Sequence, residues 1–294
     1  MSLHMVLFHT GCSKYTTMTE YLSIFEYQFF RHAIAAAILT SILAAMVGTY
    51  IVSRKIVFIG GGITHASFGG IGMAYFFGLN PFAGAALFGI LTAVGIEWVS
   101  QKGRVREDSA IAILWSLGMA LGIIFVFMTP GYTPNLMGFL FGNILSVGRA
   151  ELQLLIIFCI LIILLFTVYY RPVLYTAFDP EFARIKGIPV ARYRYLMSVV
   201  MALAIVISIR TVGIILVLSV FTIPQITAML FTRNFARIIP LAALWGISGS
   251  VIGLMASYTL DIPSGAAIIF FLTLQYLTVR LIIGLRNIIR RKTF

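Results

Sequence analysis

Leu154-Leu-Ile-Ile-Phe-Cys-Ile-Leu-Ile-Ile-Leu-Leu-Phe-Thr-Val168 contains no charged residue. Extended to about 150–170, this run is long enough, at ~1.5 Å per residue, to cross a ~30 Å hydrocarbon core as an α-helix. It lacks the apolar/polar alternation of a barrel strand. Comparable segments recur near 31–52, 57–78, 81–99, 109–129, 195–210, 212–231, 238–258 and 265–284. Gly, Pro or Arg interrupts 57–78 and 195–231, so short or discontinuous helices are expected there, with eight spans as the alternative to nine.

Composition agrees. The chain is 61% hydrophobic and only 10% charged, where soluble domains carry about 25% charged residues. A soluble fold has nowhere to hide so much apolar surface. The expected class is all-α: a polytopic integral membrane helical bundle of about eight or nine transmembrane helices.

The net charge of +12 would suggest nucleic acid in a soluble protein. Here the cations sit in short loops between spans: Arg54-Lys55; Lys102, Arg104 and Arg106; five Lys/Arg in 171–194; Arg233 and Arg237; and the tail with Arg286, Arg290, Arg291 and Lys292. The stretches 130–148 and 259–264 have none. Positive loops face the cytoplasm, and nine alternating spans satisfy every loop with the N-terminus outside and the C-terminus inside. That distribution argues against a nucleic-acid partner and for membrane lipid.

The expected organisation is a tail over 1–28, a transmembrane domain over 29–285 and a basic cytoplasmic tail over 286–294. The first tail lacks a signal-peptide core and is dispensable if translation starts at Met18. Cys12 and Cys159 have no metal-type spacing and form no disulfide framework.

One span is unusual: Phe58-Ile-Gly-Gly-Gly-Ile-Thr-His65-Ala-Ser-Phe-Gly-Gly-Ile-Gly72. An imidazole about eight residues in, or ~12 Å from the cytoplasmic end, is costly unless it faces protein, water or an ion. His65 is therefore a candidate metal ligand or gate; the alternative is a histidine hydrogen-bonded to a neighbouring helix. Thr64, Gln225 and Thr227 are further pathway candidates, with interhelical hydrogen bonding as the competing role for Gln225 and Thr227. Glu97 is expected to snorkel or pair with Lys102, and Asp261 to cap the last span.

The loop after 170 is longer than a connector requires. Asp179 is a good N-cap, Pro180 suits the first helical position, and Gly187 followed by Pro189 ends the helix. This specifies a short cytoplasmic helix with Glu181, Arg184 and Lys186, suited to docking a soluble partner. No Gly-x4-Gly-Lys-Ser/Thr loop or catalytic constellation occurs in the chain. The chain is not expected to be an enzyme, and any ATP is hydrolysed elsewhere.

Six segments, in order, carry a resemblance: Val52–Ser67, Arg106–Gly118, Leu140–Leu145, Phe178–Ala183, Thr211–Leu216 leading to Ile223–Ala228, and Ser257–Ala267. Over about 28–285 the chain resembles the permease subunits of the zinc/manganese/iron-chelate family of bacterial ABC importers. The resemblance implies a multi-pass protein of the bacterial inner membrane and a permease homodimer. It also implies separate cytoplasmic ATP-binding subunits that dock near Asp179–Pro189, and an extracytoplasmic metal-binding protein. It implies no permanent cofactor, only a transported divalent ion, Zn, Mn or Fe. A metal chelate such as a siderophore is the alternative cargo, and a secondary transporter the alternative class. In the family an Asp and a His four residues apart contribute to the metal site. His65 matches the histidine, but the Asp position is Gly61. The glycine triplet is expected to widen the path for a larger or hydrated species.

Overall fold

A computed structural model describes residues 26–103, 105–130 and 144–292. The tail with Met18 and most of the 130–148 loop lie outside them. The described residues are almost wholly helical, because in a bilayer every backbone N–H and C=O must be satisfied within its own segment.

The order is α1 (Gln28–Ser53), α2 (Phe58–Phe76), α3 (Pro81–Lys102), α4 (Glu107–Met128), a 3₁₀ turn (Ile144–Ser146), α5 (Arg149–Val168), α6 (Tyr170–Phe178), α7 (Pro180–Ile185), α8 (Val190–Val212), α9 (Ile214–Val220), α10 (Ile223–Met229), α11 (Phe235–Leu260) and α12 (Ser264–Lys292). Each expected apolar segment is found. Among the described residues, seven helices are long and apolar enough to cross a membrane: α1, α3, α4, α5, α8, α11 and α12. The 19-residue α2 has comparable length, but its glycines and His65 dilute its apolarity.

The 212–231 segment is discontinuous, as expected: two short helices stand in place of one continuous helix. Gly213, at φ 84°, separates α8 from α9, a backbone state that glycine adopts without a Cβ penalty. Pro224 then stands in the first turn of α10; lacking an N–H, it cannot extend the α9 ladder. By contrast, 57–78 contains one continuous helix.

Among the seven long apolar helices, α1 and α8 are the most buried, and α2 is buried along most of its length. Helix α2 packs against α3 and α4, and α11 packs against α1 and α12. Local chemistry sets the ends. Asn80 caps α3 by accepting from Phe82 N at 2.9 Å, ahead of Pro81. Asn234 does the same for α11. Asp261 does not cap the last span: in left-handed geometry, φ 54°, it closes α11, and α12 begins only at Ser264.

Candidate functional site

His65 lies on α2 and is partly buried. Its imidazole stacks on the Trp115 indole of α4, with centroids 4.5 Å apart and planes 7° from parallel. Among the described residues it makes no hydrogen bond, so the histidine is not tied to a neighbouring helix in that way. Stacking covers the face of the ring, whereas both nitrogens carry their lone pair or proton in the ring plane. The arrangement therefore fixes the ring and leaves both nitrogens uncommitted.

Gly61 is one turn earlier on the same helix face. A Cβ there would lie 3.1 Å from Trp115 Cζ3 and 3.3 Å from Cη2. At Gly62 it would lie 2.7 Å from Ile111 Cγ2, and at Gly60 3.4 Å from Leu218 Cδ2. Within this chain, neighbouring side chains lie close to where the β-carbons of the triplet would be.

The same face brings α2 and α4 into backbone contact. A Cβ on Gly118 would meet Ala66 Cα at 2.5 Å, and one on Gly72 would meet Gly122 O at 2.5 Å. Small residues at such an interface allow the close van der Waals packing that drives helix association in lipid. Ile111, Gly118 and Gly122 are among the few buried residues of α4; Ile113, Leu117 and Ile124 are exposed. His65 and Trp115, both partly buried, lie at the margin between this seam and the surface of the chain.

The other pathway candidates sit elsewhere. Thr64 is buried on α2 beside a small cavity that Ser67, Phe82 and Arg210 help line, and among the described residues its Oγ1 has no hydrogen-bond partner. Gln225 is fully buried; its Nε2 donates to Ala44 O at 2.7 Å and to Val220 O at 3.2 Å, fastening α10 to α1. Thr227 is buried and donates back to Ile223 O at 2.8 Å. Among the described residues, no group of three or more His, Cys, Asp and Glu is placed to hold a metal.

At the span ends beside the loop helix is a charged cluster without any local mark in the sequence. Glu97 is buried and does not pair with Lys102. It bonds Arg54 Nη1 at 3.4 Å and Arg194 Nη1 at 3.4 Å, and accepts from Gln101 Nε2 at 2.5 Å. Arg54 also pairs with Glu107 and lies over the Tyr50 ring, 5.8 Å from its centroid. Burial alone would lower the Arg54 pKa, but the Tyr50 oxygen, Glu107 and Glu97 more than offset this and hold it above its usual value. The cluster thus joins the ends of α1, α3, α4 and α8.

The loop helix forms as its caps specify. Asp179 accepts from Phe182 N at 2.9 Å, Pro180 opens α7, and Gly187 at φ 74° ends it. Phe178, Phe182 and Ile185 are exposed, Ile185 to 83%. Grooves of about 610 and 440 Å³ are found beside it, the first lined in part by Arg184, Gly187, Arg194 and Gln101, the second by Tyr175, Phe178, Asp179 and Arg233. Gln101 and Arg194 thus touch the first groove while bonding Glu97.

Comparison with known proteins places this geometry. The family model described as the ABC 3 transport family matches residues 26–283. The manganese transport system membrane protein MntC of Halalkalibacterium halodurans is 37% identical, over 84% of each chain. The manganese import system permease protein ScaB of Streptococcus gordonii is 31% identical, over 91% of this chain and 96% of its own. Among solved structures, PsaBC from Streptococcus pneumoniae in complex with Fab superposes with a TM-score of 0.78 at 30% identity, covering 89% of this chain and 94% of that one.

Proposed function

The chain belongs to the ABC 3 transport family, and from that membership we propose that it is the permease of an ATP-driven bacterial inner-membrane importer for a divalent transition metal, Zn, Mn or Fe. Relatives named for manganese transport support the metal class. The observation that carries the reading is His65: a mid-span imidazole, held by Trp115 on one face, with both nitrogens free to meet cargo.

In this reading two copies of the permease face each other, and the path runs between them past the two His65 rings. An extracytoplasmic binding protein delivers the ion. Separate ATP-binding subunits dock on the cytoplasmic surface around Asp179, Pro180, Glu181, Arg184, Lys186 and Gly187, and their closure reshapes the path through the loop helix. The exposed Phe182 and Ile185 support docking, because exposed apolar groups of this size on a cytoplasmic loop gain by being covered. The buried bonds of Gln225 and Thr227 support a helix-packing role for those two.

The test is uptake of radiolabelled Zn, Mn and Fe by vesicles containing the reconstituted complex. His65→Ala is expected to reduce uptake at least tenfold at equal permease content. Normal uptake of all three metals by that variant sinks the assignment.

A further inference from the structure

The chain has nine carboxylates, and none lies midway along a span. Glu97, Glu107 and Asp108 are at the ends of α3 and α4 beside the loop helix; Glu151 and Asp261 are at the opposite helix ends; Asp179 and Glu181 belong to the loop helix; Glu20 and Glu26 precede α1. Any cation crossing near His65 therefore meets imidazole nitrogen and no carboxylate oxygen from this chain.

That difference sorts metals. Imidazole suits Zn, Cu, Fe and Ni, whereas Mn, Mg and Ca are held mainly by carboxylate, carbonyl and water oxygens. The position best placed to add a carboxylate beside His65 is 61, one turn away on the same face, and the Trp115 indole already lies against it. Nor can the indole retreat with its helix, because the Gly118–Ala66 and Gly72–Gly122 contacts fix α4 against α2 at backbone distance.

We infer that Gly61 and Trp115 form a selectivity pair: the indole holds the His65 ring and occupies the place of a carboxylate, so the site accepts ions that imidazole alone can bind, Zn above all, and discriminates against Mn. Trp115 acts as a positioning residue, through His65 and through the space it fills. The inference rests on the reading that cargo passes His65.

The experiment measures Zn and Mn uptake by vesicles containing the complete transporter, with each metal supplied alone at equal free concentration. The wild type is expected to favour Zn at least tenfold. Gly61→Asp/Trp115→Ala, which replaces the indole by a carboxylate, is expected to lower that ratio at least tenfold by gaining Mn uptake. Trp115→Ala alone, which frees the His65 ring and adds no carboxylate, is expected to lower Zn uptake without gaining Mn uptake. If the double variant does not insert, Trp115→Asp places a carboxylate at the indole's own position and is scored by the same ratio. Equal wild-type uptake of the two metals, uptake of neither, or an unchanged ratio in an inserted carboxylate variant overturns the inference. His65→Ala separates the two readings. If that variant is inactive and the ratio is unchanged in the carboxylate variants, only the selectivity pair fails. If it transports normally, the route past His65 fails and the pair with it.

Discussion

Glu97 on α3 and Arg194 on α8, separated by 97 positions in the sequence, meet beside the loop helix with Oε1 and Nη1 3.4 Å apart. The contact ties an element that begins beside the loop helix to one that packs on the His65 span. Removing one partner of a buried pair leaves the other charge without compensation, which is more damaging than never having had the pair. Glu97 serves two arginines, so its loss leaves both short of a partner.

Glu97→Ala is accordingly expected to destabilise the protein by about 3 kcal/mol, seen as a lower thermal midpoint in detergent. The exposed Arg106–Asp108 pair, at 2.9 Å, is the control. Screening by solvent makes such pairs nearly worthless, so Asp108→Asn leaves the midpoint unmoved.

Gly118→Val directs a β-carbon at Ala66 Cα, only 2.5 Å away. Backbone cannot swing aside as a flexible side chain can, and the expected penalty exceeds the ~1–3 kcal/mol usual for overpacking. Membrane-inserted protein should fall severalfold on a quantitative blot. Gly284→Ala meets nothing within 4 Å and should insert normally.

Gln225→Leu removes the bonds to Ala44 O and Val220 O. The expected loss is about 1 kcal/mol of stability, typical of an interhelical hydrogen bond in a membrane protein, with metal uptake per inserted complex unchanged. A tenfold fall in uptake per complex at unchanged stability would instead place Gln225 in the path.

Ile185→Asp puts a charge on the most exposed apolar residue of α7. The protein should insert and unfold as the wild type does, while the ATP-binding subunit recovered with it drops at least tenfold. Recovery equal to wild type would move docking away from this helix.

The parts legible in the sequence are those set by local chemistry. Apolar runs mark the spans because lipid demands them, and Gly213 with Pro224 marks the break because no straight helix accommodates both. Asp179, Pro180 and Gly187 specify α7 through its own caps. His65 stands out because an imidazole is rare at that depth. What stayed hidden was long-range. Trp115 carries no local mark, since its contact with position 61 exists only after α2 and α4 pack. Lys102 looked like the natural mate of Glu97 because it is near in sequence, but the fold delivers Arg54 and Arg194 from helices far along the chain. The neighbours of the glycine triplet stayed hidden for the same reason: which side chains stand where a β-carbon would be is known only once the helices pack.

The glycine seam between α2 and α4 also limits how the molecule can move. Helices meshed at backbone distance cannot slide past one another without passing through clashes, so His65 and Trp115 travel together as one rigid piece. Any stroke that alters the surroundings of the imidazole is left to the parts across from it.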